Sequence, residues 1–236
     1  MITLSTDSLQ GYGLNRIFQT IKDAGFDGVD LVVDPKNFDT QNAEYIQELV
    51  DKHQLPIVSL QAPHNSTAKT ILKVVEMAKE LKVNIIIVQP PKLLQLGYIK
   101  LLTNEVPKIR QKEELSIALE NAPSDTFLGI IPEHAMQSLV DLKKFKHAAL
   151  DTARVAFKND DLIRVYNVLK KFLVHVHLSN VRRGKGYAMP EDGTLPLESF
   201  LTKLKQDGYK GAISFKIQPK ELKVGEKIAI KINAEE

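Results

Sequence analysis

The sequence predicts a closed parallel (β/α)₈ barrel of the TIM type, and three observations predict it. Short apolar segments of strand length alternate with amphipathic segments of helix length along the 236 residues. Eight such pairs fit, and strands that alternate with helices imply right-handed crossovers and a parallel sheet. No Gly-x-Gly-x-x-Gly turn follows the first strand, where Ser5-Thr-Asp-Ser-Leu-Gln-Gly-Tyr-Gly13 stands, so an open dinucleotide-binding sheet is the weaker reading.

Taken in order, Met1–Ser5 opens as a strand. Leu14, Ile17, Phe18, Ile21 and Ala24 recur at helical spacing until Gly25. Gly28–Val33 is a strand and Ala43–His53 a helix. Leu55–Leu60 is the next strand, with Pro56 belonging at its first residue or on an edge. Ala68–Leu81 carries a clear apolar stripe, Val83–Val88 is fully apolar, and Leu93–Gln111 reads helical. Leu115–Glu120 is the fifth strand, and Phe127–Ile131 is a small extra strand or a loop. Ala135–Phe145 is helical, Ala148–Asp151 a strand and Leu162–Phe172 a helix. In Phe172–Asn180, Val174, Val176 and Leu178 alternate with His175 and His177, so both imidazoles share one face of a buried strand. A polar loop with Gly184, Gly186 and Gly193 follows from Ser179 to Leu195 and is the lid candidate. Leu197–Gln206 is helical, Gly211–Lys216 is the last strand, and the tail from Pro219 is expected to be helical. With no linker or low-complexity segment, one domain over 1–236 is the simplest expectation.

Composition narrows the function classes. Hydrophobic residues make up 43% and charged residues 26%, enough for a large core. There is no cysteine, so any metal site must use His, Asp or Glu. The lysines behind the net charge of +3 are spread along the chain, which speaks against nucleic acid. No apolar run is long enough to span a membrane and the first residues have no leader pattern, so a cytoplasmic protein is expected.

In a parallel barrel the loops after the strands build the functional pocket. Polar residues crowd those ends: Gln61 and His64 after the third strand, Gln89 after the fourth, Glu120 and Asn121 after the fifth and Asp151 after the sixth. His177, Asn180, Arg182 and Arg183 follow on the seventh, and Lys216 on the eighth. Each alone has an ordinary explanation, such as a capped turn or a lysine reaching solvent. Four charged ends on neighbouring strands point to one shared pocket.

Gly25-Phe-Asp-Gly-Val-Asp30, Leu119-Glu-Asn121, Leu150-Asp-Thr152, His175-Val-His-Leu-Ser-Asn180 and Asp207-Gly-Tyr-Lys-Gly211 together resemble the xylose-isomerase-like barrel superfamily. That superfamily holds sugar and sugar-phosphate isomerases and epimerases beside endonuclease IV type enzymes. The resemblance implies one divalent metal, manganese or zinc, on Glu120, Asp151 and His177, but the fourth family ligand, a glutamate, is Lys216 here. It also implies Glu120 and Lys216 as the proton-moving, catalytic positions. Arg154 stands where a substrate-binding histidine is common, Arg183 matches a family arginine, and Asn180 replaces a common aspartate. His64, Arg154, His177, Arg182 and Arg183 are the substrate-binding candidates. A lysine about 4 Å from a dication costs roughly 8 kcal/mol at an effective dielectric near 20. The expectation is therefore that Lys216 takes the metal's place in an ion cluster with Glu120 and Asp151. The implied partner is a small sugar or sugar phosphate; barrels of this kind often pair as homodimers, and the sequence does not set the oligomeric state. Two functions compete: an isomerase or epimerase moving a proton beside a carbonyl, and a non-catalytic sugar-binding or regulatory relative. A Schiff-base role for Lys216 ranks last, because nearby carboxylates hold the amine protonated.

Overall fold

Eight parallel strands close into one barrel in the computed structural model, which describes residues 1–64, 66–127, 130–182 and 185–218. The barrel strands are β1 (Ile2–Ser5), β2 (Gly28–Val32), β3 (Ile57–Gln61), β4 (Ile85–Val88), β5 (Ser116–Glu120), β6 (Ala148–Asp151), β7 (Leu173–Leu178) and β8 (Ala212–Phe215). Each pairs with its sequence neighbours, and β1 closes the ring on β8. The predicted tail beyond Pro219 lies outside the described residues.

The strands are apolar because both faces are buried, one against helices and one inside the barrel. The outer core packs Phe18, Ile21, Ile46, Ile71, Leu102, Leu142, Tyr166 and Phe200 from the helices against Leu4, Leu31, Leu60, Ile86, Ile117 and Val176 of the strands. Inside, alternation sets layers. Ala118, Ala149 and His175 lie one step below Glu120, Asp151 and His177 on the same faces, and the two alanines join Ile87 in a small apolar layer. This places the charged layer at the C-terminal mouth of the barrel.

Several elements differ from expectation. The segment from Leu93 becomes a helix only at Leu96–Lys100. It passes through a π turn at Leu101–Glu105 and resumes at Val106–Glu113. Pro107 has no N–H to give the preceding turn, which accounts for the widened ladder. The helix expected from Ala135 begins at Leu139. Ser138 caps it there, accepting from the Asp141 amide at 3.1 Å while Asp141 accepts from the Ser138 amide at 3.2 Å. A helix not foreseen, Thr152–Phe157, starts directly after β6 with Asp151 as its cap, ahead of Leu162–Leu169. The segment 179–195 is more than a loop: Asn180–Arg182 pairs antiparallel with Lys185–Ala188. The extra strand near Phe127 is present as Thr126–Phe127 against Ile131–Pro132.

Candidate active site at the barrel mouth

Asp30 is the hub of the buried layer. It sits inside β2, fully buried, between the apolar side chains of Val29 and Leu31. Ser59 Oγ donates to Oδ1 at 2.6 Å, Ser214 Oγ to Oδ2 at 3.1 Å, and Gln61 Nε2 also donates to Oδ2. His177 Nε2 lies 3.1 Å from the same oxygen, and its Nδ1 bonds Glu120 Oε1. A ring that faces a carboxylate from each nitrogen donates twice, and only imidazolium has two N–H groups. Burial works against that charge, but Glu120 and Asp30 outweigh it and raise the His177 pKa to about 9. Burial likewise opposes the charge on Asp30, yet His177 holds its carboxyl well below the usual range.

Glu120 is shared three ways. Its Oε1 meets His177, and its Oε2 takes bonds from Gln89 Nε2 at 2.7 Å and from Arg154 at 2.7 Å. Burial would raise its pKa, but Arg154, Lys216 and His177 hold it well below the usual carboxylate range. Arg154 also reaches Asp151 through Nε at 3.5 Å, Gln89 Oε1 at 2.6 Å and the Asn121 carbonyl at 3.0 Å. Its backbone N–H donates to Asp151 Oδ1 at 3.1 Å, so the helix cap and the ion pair converge on one carboxylate. Burial disfavours the guanidinium, but Glu120 and Asp151 more than restore it and raise its pKa. Tyr187, from the hairpin after β7, donates to Asp151 Oδ2 at 3.1 Å.

Glu120, Asp151, Arg154 and His177, named from the sequence, therefore come together. Lys216 does not join Glu120 and Asp151 in the ion cluster foreseen for it. Its ammonium donates to Gln61 Oε1 at 3.2 Å, lies 4.0 Å from Asp7 Oδ2, and stands 5.8 Å from the centre of the Tyr187 ring. Arg154 arrives from the first turn after β6 and is the cation paired with both carboxylates, whose oxygens also accept from Gln89, Tyr187 and the Arg154 backbone N–H. Lys216 instead lines a cavity of about 330 Å³ with Asp7, Gln10, His64, Tyr187, Ile217 and Gln218. His64 is exposed on its outer side. Desolvation against the cavity wall, with the Lys216 and Arg154 cations, lowers its pKa. Arg182 is half exposed and pairs with Asp192 at 2.8 Å. Arg183 lies outside the described residues. A larger cavity of about 540 Å³ at the opposite end of the strands, beside Leu173 and Gly211, holds none of these groups.

Asp30, Gln89 and Tyr187 also belong to the layer; of these, Gln89 is one of the polar strand ends singled out in the sequence, whereas Asp30 and Tyr187 are not among its site candidates. Asp30 had a signal: a charge at the centre of an otherwise apolar strand. Gln89 ended a strand, and Tyr187 gave no periodic signal at all.

By spacing, Glu120, Asp151 and His177 could hold a metal ion, as could Asp30, His175 and His177, each set within 4.8 Å. The chemistry of the first set does not fit one in this arrangement. Both oxygens of Glu120 and both nitrogens of His177 are engaged, and a guanidinium already touches the two carboxylates. A dication about 4 Å from that guanidinium would meet roughly 8 kcal/mol of repulsion at an effective dielectric near 20.

A parallel eight-stranded barrel with a buried carboxylate, imidazole and guanidinium layer at its C-terminal mouth places the chain among the TIM-barrel proteins whose loops carry function. More narrowly, it belongs to the xylose isomerase-like TIM barrel family, whose sequence profile matches residues 18–231. An uncharacterized protein of Mycobacterium tuberculosis is 23% identical over 255 residues, covering 92% of this chain and 88% of the relative. The solved structure of Escherichia coli 3-keto-D-glucoside 4-epimerase is similar at a TM-score of 0.73 and 16% identity, over 92% of this chain and 91% of that one. A family 2 AP endonuclease of Brucella melitensis is similar at 0.74 and 15% identity, over 92% and 93%. At such identities the two structures establish the shared fold.

Proposed function

We propose that the barrel mouth binds a small sugar or sugar phosphate and moves a proton beside its carbonyl, with Lys216 polarising the carbonyl oxygen. The observation that carries this reading is the place of Lys216. Lys216 is 6% exposed and lines an open cavity, and its ammonium is held by one neutral hydrogen-bond acceptor and a carboxylate 4.0 Å away. Removing a proton next to a carbonyl puts negative charge on the oxygen, and a fixed cation in a partly desolvated wall stabilises that charge as it forms. His64, its pKa lowered, is neutral at neutral pH and accepts the carbon proton from the cavity rim. Gln10 and Tyr187 offer hydrogen bonds to hydroxyls.

Glu120 is a poor base in this arrangement, since it is fully buried, doubly bonded on Oε2 and strongly acidic. Its part is to anchor Arg154 and His177 behind the cavity. The keto-sugar epimerase among the structural neighbours supports the substrate class. The endonuclease likeness has less support from the site, where a guanidinium rather than a metal cluster meets the carboxylates.

The test is solvent-deuterium exchange into a panel of ketoses and their phosphates, followed by NMR. Exchange at the carbon beside the carbonyl is expected, reduced at least ~100-fold in Lys216→Met with the fold intact. Binding without exchange for every ligand in the panel would refute proton transfer. That outcome is the second reading, a non-catalytic sugar-binding relative. One observation favours it: both ring nitrogens of His177 and both oxygens of Glu120 are already committed within the protein.

A further inference from the structure

The cation that meets the strand-end carboxylates is the one the sequence pattern did not single out for that task. Lys216 stands at the position of a fourth acidic ligand, yet its ammonium turns to Gln61 and Asp7. Arg154, 4% exposed, lies across Glu120 at 2.7 Å and Asp151 at 3.5 Å, two of the three side chains spaced to hold an ion. It is pinned from every side. Gln89 and the Asn121 carbonyl hold the NH1 end, and its own backbone N–H is tied to Asp151. Asp30, Glu120 and Asp151 face His177 and Arg154, a layer one negative charge in excess, while Lys216 pairs outside it with Asp7. A dication added to that set would leave an uncompensated positive charge in a buried layer, whereas without the guanidinium the dication would balance it.

We propose that the Arg154 guanidinium is a built-in substitute for a divalent ion. It neutralises Glu120 and Asp151 in the space an ion touching both would take, and it, rather than Lys216, keeps the centre free of metal. Removing the guanidinium uncovers a site made of Glu120, Asp151 and His177. Changing Lys216 leaves that site covered. The inference concerns charge balance alone, so it stands or falls independently of which ligand the cavity takes or whether exchange occurs.

Three full-length proteins test it: wild type, Arg154→His and Lys216→Glu. Each is expressed with manganese and zinc in the medium and purified without chelator. Metal content is read by plasma mass spectrometry, and the thermal midpoint is measured with and without added manganese. Wild type is expected to carry no stoichiometric ion, and its midpoint to stay put. Arg154→His is expected to carry close to one ion per chain and to gain several degrees with manganese. Lys216→Glu is expected to behave as wild type. A stoichiometric ion in wild type, uptake by Lys216→Glu, or a folded Arg154→His that stays metal-free overturns the proposal. If Arg154→His is recovered unfolded, it is refolded with and without manganese. Metal-dependent recovery of the far-ultraviolet helix signal supports the proposal, and failure to refold with metal overturns it.

Discussion

Replacing Asp30 by Asn tests whether the buried layer is held together by charge. The substitution keeps the shape of the side chain but removes the carboxylate that faces Ser59, Gln61, Ser214 and His177. One oxygen becomes an NH₂ group. The Asn oxygen can take the place of Oδ2 and still accept from Gln61, Ser214 and His177, with the NH₂ turned to the Ser59 hydroxyl, so what is lost is the negative charge facing the His177 imidazolium. His177 keeps Glu120, so the loss belongs near the lower end of the ~3–5 kcal/mol typical of breaking a buried charge pair. At ~2.1 cal/mol/K of unfolding entropy per residue, 236 residues give about 0.5 kcal/mol per degree, so the midpoint should fall by roughly 6 °C. Circular-dichroism melts at neutral pH read this directly, and urea titration with an unchanged slope would show that the unfolded state is not the cause. A midpoint within about 2 °C of wild type would refute the reasoning, because it would mean that His177 is not charged in the folded protein.

The two strand histidines give stability a maximum near pH 6.5. His177 is raised to about 9, so its contribution of roughly 3 kcal/mol is complete below pH 6.5 and is lost as the pH rises through about 9. His175 is lowered to about 3 by burial and by the His177 charge, so its neutral form favours folding above pH 6.5, and that advantage is lost as the pH falls through about 3. Thermal midpoints across pH 5–9 check both limbs, and a curve that still rises between pH 7 and 9 would count against the His177 assignment. His175→Leu removes two ring nitrogens that have no hydrogen-bond partner among the described residues, so it should gain on wild type at pH 5 relative to pH 7.5. Gly186→Ala should cost ~1–3 kcal/mol by overpacking, since a Cβ there would lie 2.1 Å from Phe157 Cζ. The Phe157 ring packs edge-on to Tyr187, so that change also disturbs the bond to Asp151, and urea midpoints would show it.

The barrel was legible because its signals are local and repeated. A strand such as Ile85–Val88 is apolar throughout, and the helix Ala68–Glu80 buries Ile71, Val74, Val75 and Ala78 on one stripe. The convergence of Glu120, Asp151 and His177 was legible for a related reason: each is a charge at the end of a buried strand, and closing the barrel brings such ends together. Asp30 shows what this rule leaves out. It points into the barrel from within β2, level with Ser59 on β3, while Ser214 on β8 is level with His177 on β7. The serines are small enough to leave room for the carboxylate and polar enough to bond it, but that complementarity exists only once the register is set. Arg154 and Lys216 show a deeper limit. Both are single positive charges just past the C-terminal end of a barrel strand, and counting charges treats them alike. What separates them is reach. Arg154 starts three residues after Asp151, on the turn that Asp151 caps, so its backbone and its guanidinium address one carboxylate together. Lys216 starts one residue past β8, where its backbone N–H bonds the Leu178 carbonyl and its side chain meets Gln61 first. Which cation pairs with a buried carboxylate is thus decided by where each backbone is anchored.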